Sequence, residues 1–207
     1  MKLIGNYTSP YVRKISVIML EKGLTFEFVN ESPWTEESQV PQYNPLGKVP
    51  ALVDDHGECW YNSSIIAARL ETLPQAPKLL PEEAFSAVKV RQLETLADGI
   101  CDAALIIVRE QLRPIEQQSP EEMLRQRHKI QRGLDALERE AASQTWLNGE
   151  QINLADIAAA CAIGYLNFRH VAPSWCVNRP ALVKLVEKMF QRESFARTVP
   201  PAAAHIA

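Results

Sequence analysis

The sequence predicts an α/β unit followed by an all-α helical bundle, and three observations carry that expectation. Up to about residue 75, short β-branched or aromatic runs alternate with stretches of helical spacing, whereas the remainder reads almost wholly helical. Pro74, Pro77 and Pro81 crowd the junction and break any helix that would cross it. The 207 residues suit one large domain or two small ones, and the proline cluster favours two. The expected boundaries are 1–75 for the first domain, 76–85 for a linker and 86–207 for the helical domain.

Lys2 to Asn6 reads as a short strand. Pro10 to Lys22 carries Val12, Ile15, Ile18 and Met19 at helical spacing, and Gly23 supplies the stop. Thr25 to Val29 is β-branched and aromatic, so it reads as a second strand. The helix between the two strands makes them parallel. Pro50 to Asp54 and Glu58 to Tyr61, joined through Asp55-His56-Gly57, form an antiparallel hairpin. A closing helix runs from Ser63 to Leu73. The residues read β-α-β, loop, β-β-α, and the fold expected of them is the thioredoxin-like order β-α-β-α-β-β-α.

Helical patterns follow near 83–116, 119–142, 153–169 and 180–190. Pro114 and Ser119-Pro120 mark the first join, with Ser119 as N-cap and Pro120 at the first helical position. Asn153 to Leu166 is apolar nearly all round, which places that helix at the centre of the second domain. The Pro200 to Ala207 tail is expected to be mobile.

Composition excludes several function classes. An apolar content of 46% with 23% charged residues is that of a soluble globular protein. A net charge of -3 without a basic stripe argues against nucleic acid, and the group Arg125 to Lys129, flanked by Glu121 and Glu122, reads as a solvated helix face. No signal peptide or membrane-spanning run is seen, so a cytoplasmic location without membrane partners is expected. Cys59, Cys101, Cys161 and Cys176 show no metal spacing and read as buried, reduced thiols; His56, His128, His170 and His205 are isolated. No metal is expected.

Three segments could do chemistry. Ser9 precedes Pro10, so it is either an ordinary N-cap or a hydroxyl that donates to an anion at a positively polarised helix end. Thr8 and Tyr7 compete for the same role. Val49-Pro50 opens the third strand and reads either as an unremarkable strand start or as a cis bond that turns the Val49 main chain toward a peptide ligand, with Lys48 beside it for a carboxylate. Asn62-Ser63-Ser64 opens another helix, either as a plain cap or as N–H and hydroxyl groups for a carboxylate. Together they describe a pocket for a small peptide bearing a thiol and carboxylates, for which glutathione is the candidate.

Tyr7-Thr8-Ser9-Pro10-Tyr11-Val12-Arg13-Lys14, Asn44-Pro45-Leu46-Gly47-Lys48-Val49-Pro50 and Asn62-Ser63-Ser64 resemble a cytosolic glutathione S-transferase of the bacterial branch, with Ser or Thr in place of a catalytic cysteine. The resemblance covers essentially the whole chain. It implies glutathione as co-substrate, conjugation of its thiolate to a small hydrophobic electrophile, and a homodimer. It places Ser9 where cysteine-type relatives carry their nucleophile, Val49-Pro50 at a cis-proline element and Ser63 at a γ-glutamyl serine. Asn62 stands where many relatives have Glu or Asp, and Asp98 is the candidate to supply the missing charge from the neighbouring subunit. Asn153-Leu154-Ala155-Asp156 resembles a buried capping box. Peroxide or disulfide reduction at the same site, and a non-enzymatic binding protein on the same fold, are the alternative readings.

Overall fold

Register explains how the sheet collects three loops at one end. The structure, a computed structural model, describes residues 1–202; the remainder of the tail expected to be mobile, 203–207, lies outside the described residues, as does His205. β1 (Lys2–Gly5) pairs parallel with β2 (Glu27–Asn30) and antiparallel with β3 (Ala51–Val53). β3 pairs antiparallel with β4 (Cys59–Tyr61), giving the order β2-β1-β3-β4. Leu3 faces Leu52 and Ile4 faces Ala51 across β1 and β3. Because side chains alternate, one pair serves each face of the sheet.

Ile4 and Ala51 pack with Val40, and Tyr43 and Val49 close over them. That second face is covered by a 3-10 turn, Val40–Gln42, where the expected order has an α-helix. Pro41 sits in its first turn, where a missing N–H is tolerated, and Pro45 stops a longer helix because it disfavours helical geometry in the residue before it. On the first face stands α1 (Pro10–Glu21), with Val12, Ile15, Ile18 and Met19 buried, as their spacing predicts. The strand and this helix approach closely: a Cβ on Gly5 would lie 2.4 Å from a Val12 methyl, so only glycine fits there. α2 (Ser63–Glu71) buries Ile66, Ala67 and Leu70.

The chain divides into two compact units, Met1–Leu80 together with the residues from Arg192 onward, and Pro81–Gln191. The return of the segment after Arg192 differs from the expected 86–207 boundary, and its cause is long-range pairing. The Arg192 guanidinium donates to both Glu21 carboxylate oxygens at 2.7 Å, and the Ser194 hydroxyl donates to one of them at 2.5 Å. Burial tends to raise the Glu21 pKa, but these bonds outweigh it and hold the carboxyl below its ordinary range. A short helix, α7 (Glu193–Ala196), then buries Phe195 under the Arg13 guanidinium, 5.3 Å from the ring centroid.

Inside the first unit, Lys22 is fully buried and its ammonium donates to Glu71 at 2.7 Å and to the Pro77 carbonyl at 2.6 Å. Glu71 also accepts from the Leu79 N–H at 3.2 Å. The ends of α1 and α2 and the start of the linker are thus tied by one ion pair.

The second unit contains α3 (Ala84–Gln111), α4 (Pro120–Ser143), α5 (Leu154–Arg169) and α6 (Pro180–Phe190). α3 ends at Gln111, short of the expected 116, because Pro114 disfavours helical geometry in the residue before it. Ser119 caps α4 by accepting from the Glu122 N–H at 3.2 Å. α5 is buried on nearly every face and packs against α3 and α6. Its capping box is complete: Asn153 Oδ1 accepts from the start of the helix, and Asp156 accepts from the Asn153 N–H at 2.9 Å. Asp156 also takes the Leu147 N–H at 2.8 Å, and Asn153 Nδ2 donates to the Leu147 carbonyl at 2.7 Å. Burial pushes the Asp156 pKa up to about 7, against the pull of those N–H groups and Lys188.

Cys101 and Cys161 are buried, but Cys59 and Cys176 are exposed, which corrects the expectation of four buried thiols. Cys59 lies on the edge strand β4 and Cys176 in the turns before α6. Neither position is covered by a packing layer.

Candidate functional site

One row of residues across the sheet, Ile4, Ala51 and Tyr61, fixes where the candidate residues meet. Chain direction alternates between β1, β3 and β4, so the end of β1, the beginning of β3 and the end of β4 lie at one edge. The turn from Asn6 to Ser9 leaves β1 there, Lys48-Val49-Pro50 enters β3 there, and Asn62-Ser63 leaves β4 there. With strands about 4.8 Å apart, the row spans about 10 Å. That is the reach of an extended tripeptide of about three residues.

Ser9 is the N-cap of α1, with its Oγ accepting from the Val12 N–H at 3.3 Å. A hydroxyl has two lone pairs and one proton, so this capping bond uses a lone pair and the proton is directed elsewhere. Both readings of Ser9 from the sequence are therefore compatible in one geometry. Thr8 differs: its hydroxyl donates to Asn6 Oδ1 at 3.2 Å. Tyr7 lies in the turn beyond β1, 52% exposed, with its ring stacked on Phe28 at 4.7 Å between centroids.

The Val49-Pro50 bond is cis. Its loop is organised by Asn44, to which the sequence reading gave no role. Asn44 is buried, donates from Nδ2 to the Lys48 carbonyl at 2.7 Å, and accepts the Leu46 N–H at 3.0 Å. Its own N–H reaches the Val40 carbonyl at 2.9 Å and its carbonyl accepts from Gly47 at 2.8 Å. Gly47 has φ +61°, a conformation glycine adopts without penalty. An Asn held beside Pro-Leu-Gly in a turn-rich run was the available signal, since Asn folds its side chain onto nearby backbone. Lys48 itself is exposed.

Asn62 also turns out to be structural. It has φ +70°, and its side-chain oxygen accepts from the Ser64 N–H at 3.0 Å and the Ile65 N–H at 3.4 Å. The Ser64 N–H is thus given to the cap, while Ser63 is the buried first residue of α2, one position nearer the helix start. Asp98 lies on α3, in the second unit. Among the described residues no group of three or more His, Cys, Asp or Glu could hold a metal ion, and no helix is long and apolar enough to cross a membrane.

Comparison with known proteins gives a consistent picture. Residues 8–73 match the profile of the glutathione S-transferase N-terminal domain and residues 96–193 that of the glutathione S-transferase C-terminal domain. The chain is 59% identical to the uncharacterized GST-like protein YibF of Escherichia coli (strain K12), over 98% of this chain and all of the relative. Among solved structures, it is similar to a glutathione S-transferase from Methylobacterium radiotolerans in complex with glutathione sulfonate, with a TM-score of 0.91 and 39% identity over 96% of this chain and 94% of the other. A glutathione S-transferase from Methylobacillus flagellatus with glutathione bound gives a TM-score of 0.92 and 35% identity, over 97% and 99% of the two chains.

Proposed function

The chain belongs to the glutathione S-transferase family, and from that premise we propose that it binds glutathione along the Ile4, Ala51, Tyr61 row and conjugates it to a small apolar electrophile. The observation that carries the reading is the Ser9 geometry, in which Val12 occupies a lone pair and the single proton is left to donate to an anion at the start of α1. Thr8 is the weaker donor, since its proton goes to Asn6, while Tyr7, its ring stacked on Phe28, remains the rival.

The magnitudes suffice. A free thiol has a pKa of about 8.5, and lowering it by two units takes roughly 2.7 kcal/mol. A hydrogen bond to a charged acceptor contributes about 1.5–3 kcal/mol, and a helix end up to about 2 in a partly buried site. Ser9 and α1 together can therefore keep bound glutathione as thiolate without a general base. The thiol proton goes to solvent, and the sulfur then forms a bond to an electrophilic carbon as that carbon's bond to its leaving group breaks, the leaving group departing to solvent with the electron pair. The Val49 main chain pairs with the cysteinyl residue, Lys48 meets a carboxylate, and the Ser63 N–H and hydroxyl hold the γ-glutamyl carboxylate. Asn62 serves by shaping that helix start, where its side-chain oxygen takes the Ser64 N–H. Asp98 completes the site from the partner subunit of a cytoplasmic homodimer.

Ser9→Ala is expected to raise the apparent thiol pKa of bound glutathione by a unit or more, read from thiolate absorbance across pH. An unchanged titration in Ser9→Ala, with a shift in Thr8→Val or Tyr7→Phe, transfers the role to that residue. Failure of the protein to be retained on immobilised glutathione and released by free glutathione overturns the reading as a whole.

Asn44→Ala is expected to raise the KM for glutathione about tenfold with kcat within about twofold, measured by initial rates. The loss comes from a loop whose Lys48 carbonyl and Leu46 N–H no longer share one anchor.

A further inference from the structure

We infer, on the basis of the glutathione reading above, that the Tyr7 phenol is a second catalytic donor, which hydrogen-bonds the oxygen of an α,β-unsaturated carbonyl while Ser9 holds the thiolate. The turn that leaves β1 carries three hydroxyls, and each has a different task. The Ser9 N–H donates to the Asn6 carbonyl at 3.4 Å, so Tyr7 and Thr8 are the two central residues of a β-turn. The Ser9 proton is directed to sulfur, and the Thr8 hydroxyl donates to Asn6 Oδ1. The Tyr7 hydroxyl has no hydrogen-bond partner among the described residues, although its ring is held in place by the stack on Phe28.

Position separates this phenol from Ser9. Phe28 faces Leu3 across β1 and β2, which puts it on the sheet face that α1 covers. Ser9 begins that helix, so hydroxyl and phenol stand on the same face of the sheet. β2 is the strand on the far side of β1 from β3 and β4. Glutathione lies along β1, β3 and β4, so the side of the thiol left open to an electrophile is the β2 side, where the Tyr7 ring stands.

Addition to an α,β-unsaturated carbonyl needs a donor there. The thiolate sulfur bonds to the β-carbon, the C=C electron pair moves into a new bond toward the carbonyl carbon, and the carbonyl pair moves onto oxygen, giving an enolate. Charge that Ser9 stabilised on sulfur now sits on an oxygen three carbons away. The Tyr7 O–H donates to that oxygen, where a fixed donor lowers the barrier because the charge develops in the transition state. The α-carbon then takes a proton from solvent and the carbonyl re-forms. That proton balances the one the thiol released, so thiol and acceptor give one adduct with no leaving group and no other reagent.

Initial rates of the full chain with two apolar electrophiles test the role: trans-4-phenylbut-3-en-2-one, in which an oxygen takes up charge, and benzyl chloride, which has no oxygen. Tyr7→Phe keeps a ring to stack on Phe28 and removes only the hydroxyl. It should lower kcat/KM for the enone about tenfold or more relative to benzyl chloride, without raising the thiol pKa of bound glutathione. Ser9→Ala should slow both electrophiles alike. Equal loss with the two electrophiles in Tyr7→Phe, or a raised thiol pKa there, overturns the inference by placing the phenol on sulfur. An unaffected enone rate in Tyr7→Phe overturns it too, as does a parent chain that conjugates benzyl chloride but not the enone; both results leave the glutathione reading standing. A parent chain that is not retained on immobilised glutathione overturns the two together.

Discussion

Lys22→Ala should lower the stability of the folded chain by about 3–5 kcal/mol, as read from the midpoint of urea denaturation. The side chain is fully buried, and its removal leaves the Glu71 carboxylate and the Pro77 carbonyl without the ammonium that both contact within 2.7 Å. A buried charge deprived of its partner is costly because little water reaches it. Removing both charges is different. Lys22→Met with Glu71→Gln keeps an acceptor for the Leu79 N–H and leaves no orphaned ion, so the double variant should recover most of the loss. If the double variant is as unstable as the single one, the pair is not what holds the two helix ends together.

Asp156→Ala should cost about 2–6 kcal/mol, since it orphans two buried N–H groups, those of Leu147 and Asn153, at about 1–3 kcal/mol each. The same residue gives stability a pH dependence with a definite sign. The unfolded carboxyl releases its proton near the ordinary 3.8, whereas burial holds the folded one up to about 7. Between these values the folded state binds more protons, so this contribution is present in full below about 4 and is lost as pH rises to about 7. Asp54 works in the other direction and in another window. Burial tends to raise its pKa, but the N–H groups of Glu58 and His56, the Trp60 indole and Arg69 hold it at about 2, so its contribution is lost only as pH falls from about 4 toward 2. Urea midpoints from pH 4.5 to 7.5 should therefore decline in the parent chain and run flatter in Asp156→Asn. Parallel curves for the two would remove Asp156 as the cause.

What was legible in the sequence was local. The helical spacing of Val12, Ile15, Ile18 and Met19, the Ser9-Pro10 start, the Val49-Pro50 turn and the Asn153 to Asp156 box each lie within one or two turns of chain, and local chemistry decides them. The βαβ and hairpin patterns gave the strand direction within each pair, but convergence of the three candidate loops also needs the antiparallel pairing of β1 with β3, which joins strands distant in sequence. What was missed depends on partners distant in sequence. Nothing in the pattern around Lys22 announces Glu71, and nothing near Arg192 announces Glu21. The roles of Asn44 and Asn62 lay between the two: both are short polar side chains that fold onto nearby backbone, so a structural task competes with a ligand-binding one at the same position.

The return of the segment after Arg192 has a consequence for synthesis. The first helix of the chain waits for Arg192, Ser194 and Phe195, which leave the ribosome only after the whole helical unit has been made. At about 5–20 residues per second, the interval between completing residue 80 and reaching residue 192 is roughly 6–22 s. Throughout that interval Glu21 lacks its guanidinium and the face of α1 that receives Phe195 is bare. The first unit is begun first and finished last, and a nascent chain stalled before Arg192 carries an incomplete version of it.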